Sequence, residues 1–130
     1  MLKLKSLLAK ILQELLNRNQ AGTSTGTVNC TASIGTVAKG ASITLPAGTY
    51  LFLASAGFPT GSGARNLNIG IYSGSTEYGV TRMVSAYADW ARLQTYAIRT
   101  LSEDTTVQAG ASSSAAVSGV SLQLQYVRLR

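Results

Sequence analysis

The chain has 130 residues, of which 45% are hydrophobic and only 12% are charged, with a formal net charge of +6. This length fits one domain with a short appendage, and the hydrophobic content excludes a disordered chain, which combines low hydrophobicity with high net charge. The positive charges are scattered, without a basic cluster that carries interleaved aromatic residues, so no nucleic-acid partner is expected.

Residues 1–20 differ in composition from the rest of the chain and predict an amphipathic helix. The apolar residues of this segment that are spaced as a heptad seam are Leu4, Leu8, Ile11 and Leu15. Leucine at the a positions with isoleucine at a d position favours three or more helices over two, and so short a helix needs such packing to be stable. We therefore expect a trimeric coiled coil that serves as an oligomerisation stalk or anchor.

Three other interpretations of residues 1–20 compete with self-association. A cleaved signal peptide would have an uninterrupted apolar run, whereas Lys10 and Glu14 interrupt this one. The same charges argue against a transmembrane helix, which needs about 20 mainly apolar residues. Binding to a membrane surface stays open because Lys3, Lys5 and Lys10 would suit anionic headgroups. Self-association is nevertheless the leading interpretation, and a membrane partner is not expected.

Residues 21–26, AGTSTG, predict a flexible linker because glycine and small hydroxyl residues have little reason to order. Residues 27–130 then form the predicted head domain, in which strand-like segments follow one another at short intervals. This spacing favours a sandwich or barrel over a fold of alternating strands and helices. The predicted strands cover 28–37, 41–45, 49–56, 66–72, 78–88, 90–101, 105–109, 114–117 and 120–129.

The strand predicted over 49–56 is apolar on both faces. Tyr50 and Phe52 point to one side, and Leu51 and Leu53 point to the other. A strand with two apolar faces needs cover on both, and in an oligomer a neighbouring subunit supplies the second cover. We therefore predict that all four residues take part in oligomerisation together with the helix seam.

Four runs of the β region carry a resemblance to a known class of proteins. They are GASITLPAGTYLFLASAGF, LNIGIYSG, LQTYAIRTLSEDTTVQAGASSSAAVSG and the closing SLQLQYVRLR. In strand order and turn placement the chain resembles the trimeric jelly-roll heads of the complement globular-head and tumour necrosis factor class. It is more closely similar to the small phage proteins that carry such heads on fibres, spikes or receptor-binding proteins. The resemblance implies an all-β jelly-roll sandwich of eight or nine antiparallel strands behind a short trimeric helical stalk, and a phage origin.

The sequence offers few groups for catalysis or metal binding. It has no histidine, and its adjacent acidic pair, Glu103 and Asp104, lacks the spacing of a calcium loop. We therefore expect no enzyme activity, no metal and no cofactor. Cys30 is the single cysteine and fits a half-buried apolar position, with an intermolecular bridge or a reactive thiol as the alternatives.

Aromatic residues in the middle of the chain are the better candidates for binding. An aromatic ring near a loop gives a large contact area at low entropic cost, although packing in the core or at a subunit interface is the alternative for each. The loops around 59–65 and 73–78 are rich in turn-forming residues, and we expect ligand contacts in loops far from the stalk. The candidate ligand-binding residues are Arg65, Tyr72 and Tyr78.

These observations lead to three functional hypotheses. The first is a homotrimeric phage virion surface protein, made in the bacterial cytoplasm, whose head attaches to a glycan or protein on the host surface without catalysis. The second is a capsid decoration or head-spike protein, anchored among other virion proteins by its N-terminal helices. The third is a secreted cytokine-like or lectin-like binding module. The location of the protein on the virion would separate the first two.

Overall fold

The computed structural model describes residues 2–18, 20–60, 65–85 and 90–130 of the chain. A single helix is followed by eight strands within these ranges. The elements are α1 (Leu2–Arg18), β1 (Ala21–Cys30), β2 (Ala38–Leu45), β3 (Gly48–Phe58), β4 (Arg65–Ser73), β5 (Thr76–Ser85), β6 (Ala91–Leu101), β7 (Thr105–Ser113) and β8 (Val117–Arg128). The predicted N-terminal helix and all-β sandwich are confirmed, whereas the trimeric coiled coil stays a prediction.

The strands form two antiparallel sheets of four strands each. Sheet 1 has the order β1-β8-β3-β6 and sheet 2 has the order β2-β7-β4-β5. Apart from the β4–β5 hairpin, every connection crosses from one sheet to the other. This winding is that of a jelly roll, in which two Greek keys are wrapped into a double sheet.

Strand alternation places one face of each sheet in a shared core. The large apolar side chains that are fully buried there are Tyr50, Phe52, Phe58, Leu67, Ile69, Ile71, Val107, Val120 and Leu124. Tyr50 and Phe52 stack with 5.9 Å between ring centroids, and the Tyr50 hydroxyl donates a hydrogen bond to the Pro46 carbonyl at 2.9 Å. Each such buried side chain stabilises the fold by about 1.5–3 kcal/mol. Tyr50 can be buried among them because its hydroxyl group has a hydrogen-bond partner.

The prediction that all four apolar residues of β3 contact a neighbouring subunit needs correction. Tyr50 and Phe52 each have 0% of their surface exposed within a single chain, so they have no surface left for a partner. Leu51 and Leu53 alternate to the outer face of sheet 1, where they are half-buried. The inner face of β3 therefore packs on the chain's own core, and only the outer face needs further cover.

The prediction of a flexible linker over 21–26 is wrong, because these residues form the first half of β1. Ala21 to Val28 pair in register with Val127 to Val120 of β8. Gly26 also has a steric role, since a Cβ there would lie 3.0 Å from the backbone nitrogen of Ala41 in β2. Backbone pairing with β8 thus orders a segment whose composition alone is typical of a loop.

Two other predicted strands are also corrected. Residues 31–37, expected to continue the first strand, connect β1 to β2 and contain a turn. Residues 114–116, expected to lie in a strand, form the connection between β7 and β8. One segment follows Cys30 and the other follows Ser113, each at the distal end of its sheet. Small polar residues at such a position favour a turn over continued strand pairing.

The strand register defines two ends of the head. At the helix end, where β1 begins, Tyr50 pairs with Arg128 and Leu45 pairs with Thr105. At the distal end, Phe58 pairs with Ala91. The β2–β3 and β4–β5 turns lie at the helix end, whereas β3 and β5 end, and β4 and β6 begin, at the distal end. Of the two loops predicted to lie far from the stalk, the one over 73–78 lies at the helix end, so its prediction is wrong. Residues 61–64 of the other loop, 59–65, lie outside the described residues.

Candidate functional site

The outer face of sheet 1 is apolar at the helix end. We call the residues of this surface the apolar patch, which consists of Leu51, Leu53, Tyr96, Ile98 and Val127. Leu51 pairs with Ile98 on β6 and with Val127 on β8, and Leu53 pairs with Tyr96. The exposed fraction is 72% for Tyr96, 61% for Ile98 and 41% for Val127. Neighbouring exposed apolar side chains of this kind mark an interaction surface.

The apolar patch is continuous with the place where the helix joins the head. Ala21, the first residue of β1, lines a hollow of about 420 Å³ together with Leu51, Leu53 and Val127. The helix ends at Arg18, three residues before Ala21. The chain therefore connects the helix directly to the edge of the apolar patch.

The helix itself carries apolar side chains that face solvent in the single chain. The exposed fractions are 55% for Leu4, 57% for Leu8 and 45% for Ile11, the seam positions whose side chains are described. The side chain of Leu15, the fourth seam position, lies outside the described residues. Leu7 and Leu12 beside the seam are 54% and 59% exposed. Among the described residues, no helix has the length and apolarity needed to cross a membrane.

Towards the distal end the same outer face becomes polar and forms a hollow of about 360 Å³, which we call the distal pocket. The polar and glycine residues that line it are Thr25, Gly26, Thr27, Ser55, Gly57, Arg92, Ser121 and Gln123. Arg92 is exposed and is the one charged residue among these described lining residues. The pocket thus combines an exposed guanidinium with several hydroxyl groups and one amide side chain.

Trp90 lies beside the distal pocket, immediately before β6. Its side chain is 54% exposed and rests on Gly57, where a Cβ would lie 2.8 Å from the indole Cζ2. The same Cβ would lie 2.6 Å from the Oγ of Ser121. Glycine at this position therefore leaves room for the ring and the hydroxyl to meet over β3.

The three predicted ligand-binding residues do not form one site. Arg65, at the start of β4, is only 2% exposed, so the prediction that it contacts a ligand is wrong. Tyr78 packs against the core, 6.2 Å from the Phe52 ring between centroids, with the Arg99 guanidinium 4.7 Å from the Tyr78 centroid. Tyr78 therefore acts as a packing residue between the two sheets.

Tyr72 lies on the outer face of sheet 2. Its ring covers Gly70 and Gly110, and the Lys39 ammonium lies 5.3 Å from the ring centroid. Burial, followed by the nearby Glu77 carboxylate, raises the pKa of Tyr72 above its ordinary value of 10.0. The ring is therefore a neutral, half-buried group whose surroundings are already filled by this chain.

The sequence patterns did not group Tyr96, Ile98 and Val127 with Leu51 and Leu53 as one apolar patch. The signal was present in β6, where Leu93 and Ala97 alternate with Tyr96 and Ile98, so that this strand is apolar on both faces as β3 is. Which of these strands lie side by side, however, follows from the jelly-roll topology and not from any one strand.

No protein-family model matches the sequence, and no curated protein matches it either. Solved structures are similar in fold. The PRD1 vertex protein P5 aligns with a TM-score of 0.54 and 12% identity over 85% of this chain and 96% of that chain. A mutant VP2 protein of infectious bursal disease virus, in derived T=1 particles, aligns with a TM-score of 0.55 and 13% identity over 86% of this chain. This chain spans 32% of the VP2 chain.

The globular domain of the zebrafish complement 1qA protein also aligns, with a TM-score of 0.48 and 11% identity over 85% of this chain and 97% of that chain. At such identities the alignments concern the fold alone. The strand order and the alignments with the vertex protein and VP2 show that the head has a jelly-roll fold, and this confirms the fold class inferred from the sequence.

Proposed function

We propose that the chain is a homotrimeric phage virion surface protein. Residues 1–20 form a trimeric coiled coil, and the heads attach to a bacterial surface. The observation that carries this proposal is the exposed apolar seam of α1, which leads directly into the exposed apolar patch. Two apolar surfaces joined at one end of the head are both covered if copies of the chain associate there.

The helix supports association because it cannot be stable alone. A helix of 17 residues is close to the marginal length, and its leucines gain stability only when they are buried. In a parallel trimer the seam residues Leu4, Leu8 and Ile11 bury one another. The apolar patch then lies next to the point where the three helices join their heads, so the heads can pack through it.

The virion setting is supported by the sequence resemblance to phage heads carried on fibres, spikes or receptor-binding proteins. The names of two structural neighbours, a vertex protein and a virus protein in particles, make a virion the first setting to test. Attachment is assigned to the distal end of the head because that end is free when the helices are held at the other.

The test uses virions of the phage that encodes the chain and antibodies raised against the purified full chain. Gold-labelled antibodies should mark the virion surface in electron microscopy, and bound antibody fragments should slow adsorption to host cells. Label on the capsid shell without an effect on adsorption would favour the capsid decoration alternative. Intact virions that carry no label would overturn the proposal.

A further inference from the structure

We propose that the distal pocket binds a saccharide that carries an anionic substituent, a carboxylate or a phosphate, with Trp90 as the stacking platform and Arg92 as the anion-binding group. This inference rests on the proposed attachment function and names the chemical class of the surface ligand. It is carried by the juxtaposition of an exposed indole, which lies over Gly57 at the side of the hollow, with the exposed guanidinium and the hydroxyl and amide groups that line the hollow.

The ring of a sugar has an apolar face of C–H groups and a rim of hydroxyls, and the site offers a counterpart for each. Trp90 presents a flat apolar ring that is 54% exposed and is positioned by Gly57. An aromatic ring of this kind gives a large contact area at low entropic cost. A core role does not account for this indole, because more than half of its surface remains in solvent.

Hydroxyl and amide groups next to the indole suit the rim of the sugar. Ser55 on β3 pairs with Gln123 on β8, and Ser121 lies one row further towards the distal end, opposite Gly57. Thr25 and Thr27 of β1 pair with Gln123 and Ser121 from the other side. Groups that both donate and accept hydrogen bonds match sugar hydroxyls, which do the same. The hollow of about 360 Å³ lies within the range of small-ligand pockets.

Arg92 selects for an anionic sugar over a neutral one. The guanidinium is exposed and forms no hydrogen bond or ion pair with the other described residues. Arginine binds carboxylate and phosphate groups through two parallel hydrogen bonds, which are stronger than hydrogen bonds between neutral groups. No described lining residue carries a negative charge that would repel such a ligand.

The fluorescence of the protein reports on this site directly, because Trp90 is the only tryptophan in the chain. The full chain is titrated with trigalacturonate, with its methyl ester as the neutral counterpart, and with glucose 1-phosphate as the phosphate arm. Trigalacturonate, glucose 1-phosphate or both should change the emission of Trp90 and release heat in calorimetry, whereas the methyl ester should bind roughly ten-fold more weakly, since it lacks the charge-assisted hydrogen bonds.

Three variants test the assignment of residues. Arg92→Gln should lower the affinity for the anionic probe by roughly ten-fold and leave that for the methyl ester unchanged. Gly57→Ala should displace the indole and weaken both, because its Cβ would lie 2.8 Å from the ring. Arg82→Gln is the matched control, since Arg82 lines a different hollow on sheet 2, and it should change neither affinity.

The outcomes separate this inference from the proposed function. If neither anionic probe binds at about 10 mM, which would mean an affinity below that of ordinary weak ligands, the inference is overturned. It is also overturned if the ester binds as well as the acid, or if Arg92→Gln and Arg82→Gln behave alike. If antibodies against the chain label virions but the trimer binds none of these probes, the proposed function still stands. A monomer that binds them through Trp90 and Arg92 would retain the site and overturn the trimer.

Discussion

At the scale of single residues, the structure separates aromatic side chains that hold the head together from those that remain available. Tyr78 and Tyr96 both lie on strands near the β5–β6 edge of the sandwich, and the sequence does not distinguish them. Tyr78 packs on Phe52, whereas Tyr96 is 72% exposed. The difference arises from strand alternation combined with the pairing of the sheets, which a sequence pattern specifies only in part.

This difference predicts opposite effects of two alanine substitutions. Tyr78→Ala should lower the free energy of unfolding by about 2 kcal/mol, because it removes a half-buried ring from contact with the core. Tyr96→Ala should change the stability of the isolated head by less than about 0.5 kcal/mol, as is usual for exposed sites, but should weaken association of the heads. Chemical denaturation and light scattering of both variants measure the two effects. Equal losses of stability would contradict the assignment of Tyr78 to the core.

The burial of Cys30 leads to a second prediction, which concerns the pH dependence of stability. Burial raises the pKa of its thiol above the ordinary value of 9.0, so the folded state favours the protonated form. The stability that the neutral thiol contributes is fully present below pH 9.0 and is lost as the pH rises through the folded-state pKa. Burial acts in the same direction on Tyr50 and Tyr72, whose ordinary pKa is 10.0.

The free energy of unfolding should therefore decline from about pH 9 upward. Denaturation of the natural chain and of Cys30→Ala is compared from about pH 8 to about pH 10.5. Since the variant lacks the thiol, its decline should begin later, where the tyrosines titrate. Superimposable pH profiles, apart from a constant offset, would show that the thiol is not buried.

At the scale of elements, composition and strand pairing disagree over residues 21–26, and pairing decides the structure. The run AGTSTG has the glycine and hydroxyl content of a linker, yet its backbone pairs with β8 across the whole segment. The helix and the apolar strands were predictable because periodic burial leaves a direct trace in the sequence. An edge strand of small residues leaves no such trace, since its partner supplies the reason for its order.

Two truncations test this assignment. Removal of residues 1–20 should leave the head folded, because β1 is retained. Removal of residues 1–26 strips β8 of most of its pairing with β1 and uncovers Leu122 and Leu124, so the melting temperature should fall by about 10 °C or more. Thermal unfolding followed by circular dichroism makes the comparison. If the two truncated proteins melt at the same temperature, residues 21–26 are not part of the folded head.

At the scale of the whole molecule, the register of sheet 1 makes the two ends of its outer face chemically different. One outer face is apolar where the chain leaves the helix and polar, with Trp90 and Arg92, at the distal end. The sequence predicted that the head makes its contacts far from the helix. The proposed contact site, the distal pocket, also lies far from the helix, but its residues differ from the predicted ones. The reason is topological, because the hairpin after β4 returns to the helix end.

Association of the chain is the central claim, and its physical basis is the burial of the helix seam. Leu8→Asp with Ile11→Asp places charges where three helices meet, and burying unpaired charge is strongly unfavourable. The double variant should therefore dissociate. Ala9→Asp adds the same type of charge outside the seam, on an exposed position of the same helix, and should remain associated.

Light scattering of the full chain over a range of concentrations measures this claim most directly. We expect a trimer of about 41 kDa, three times the chain mass of 13.6 kDa, for the natural chain and for Ala9→Asp. The seam variant should shift towards the mass of one chain. A natural chain that stays at 13.6 kDa at every concentration, or a seam variant that keeps the mass of the natural chain, would contradict a trimer held together by the helix seam.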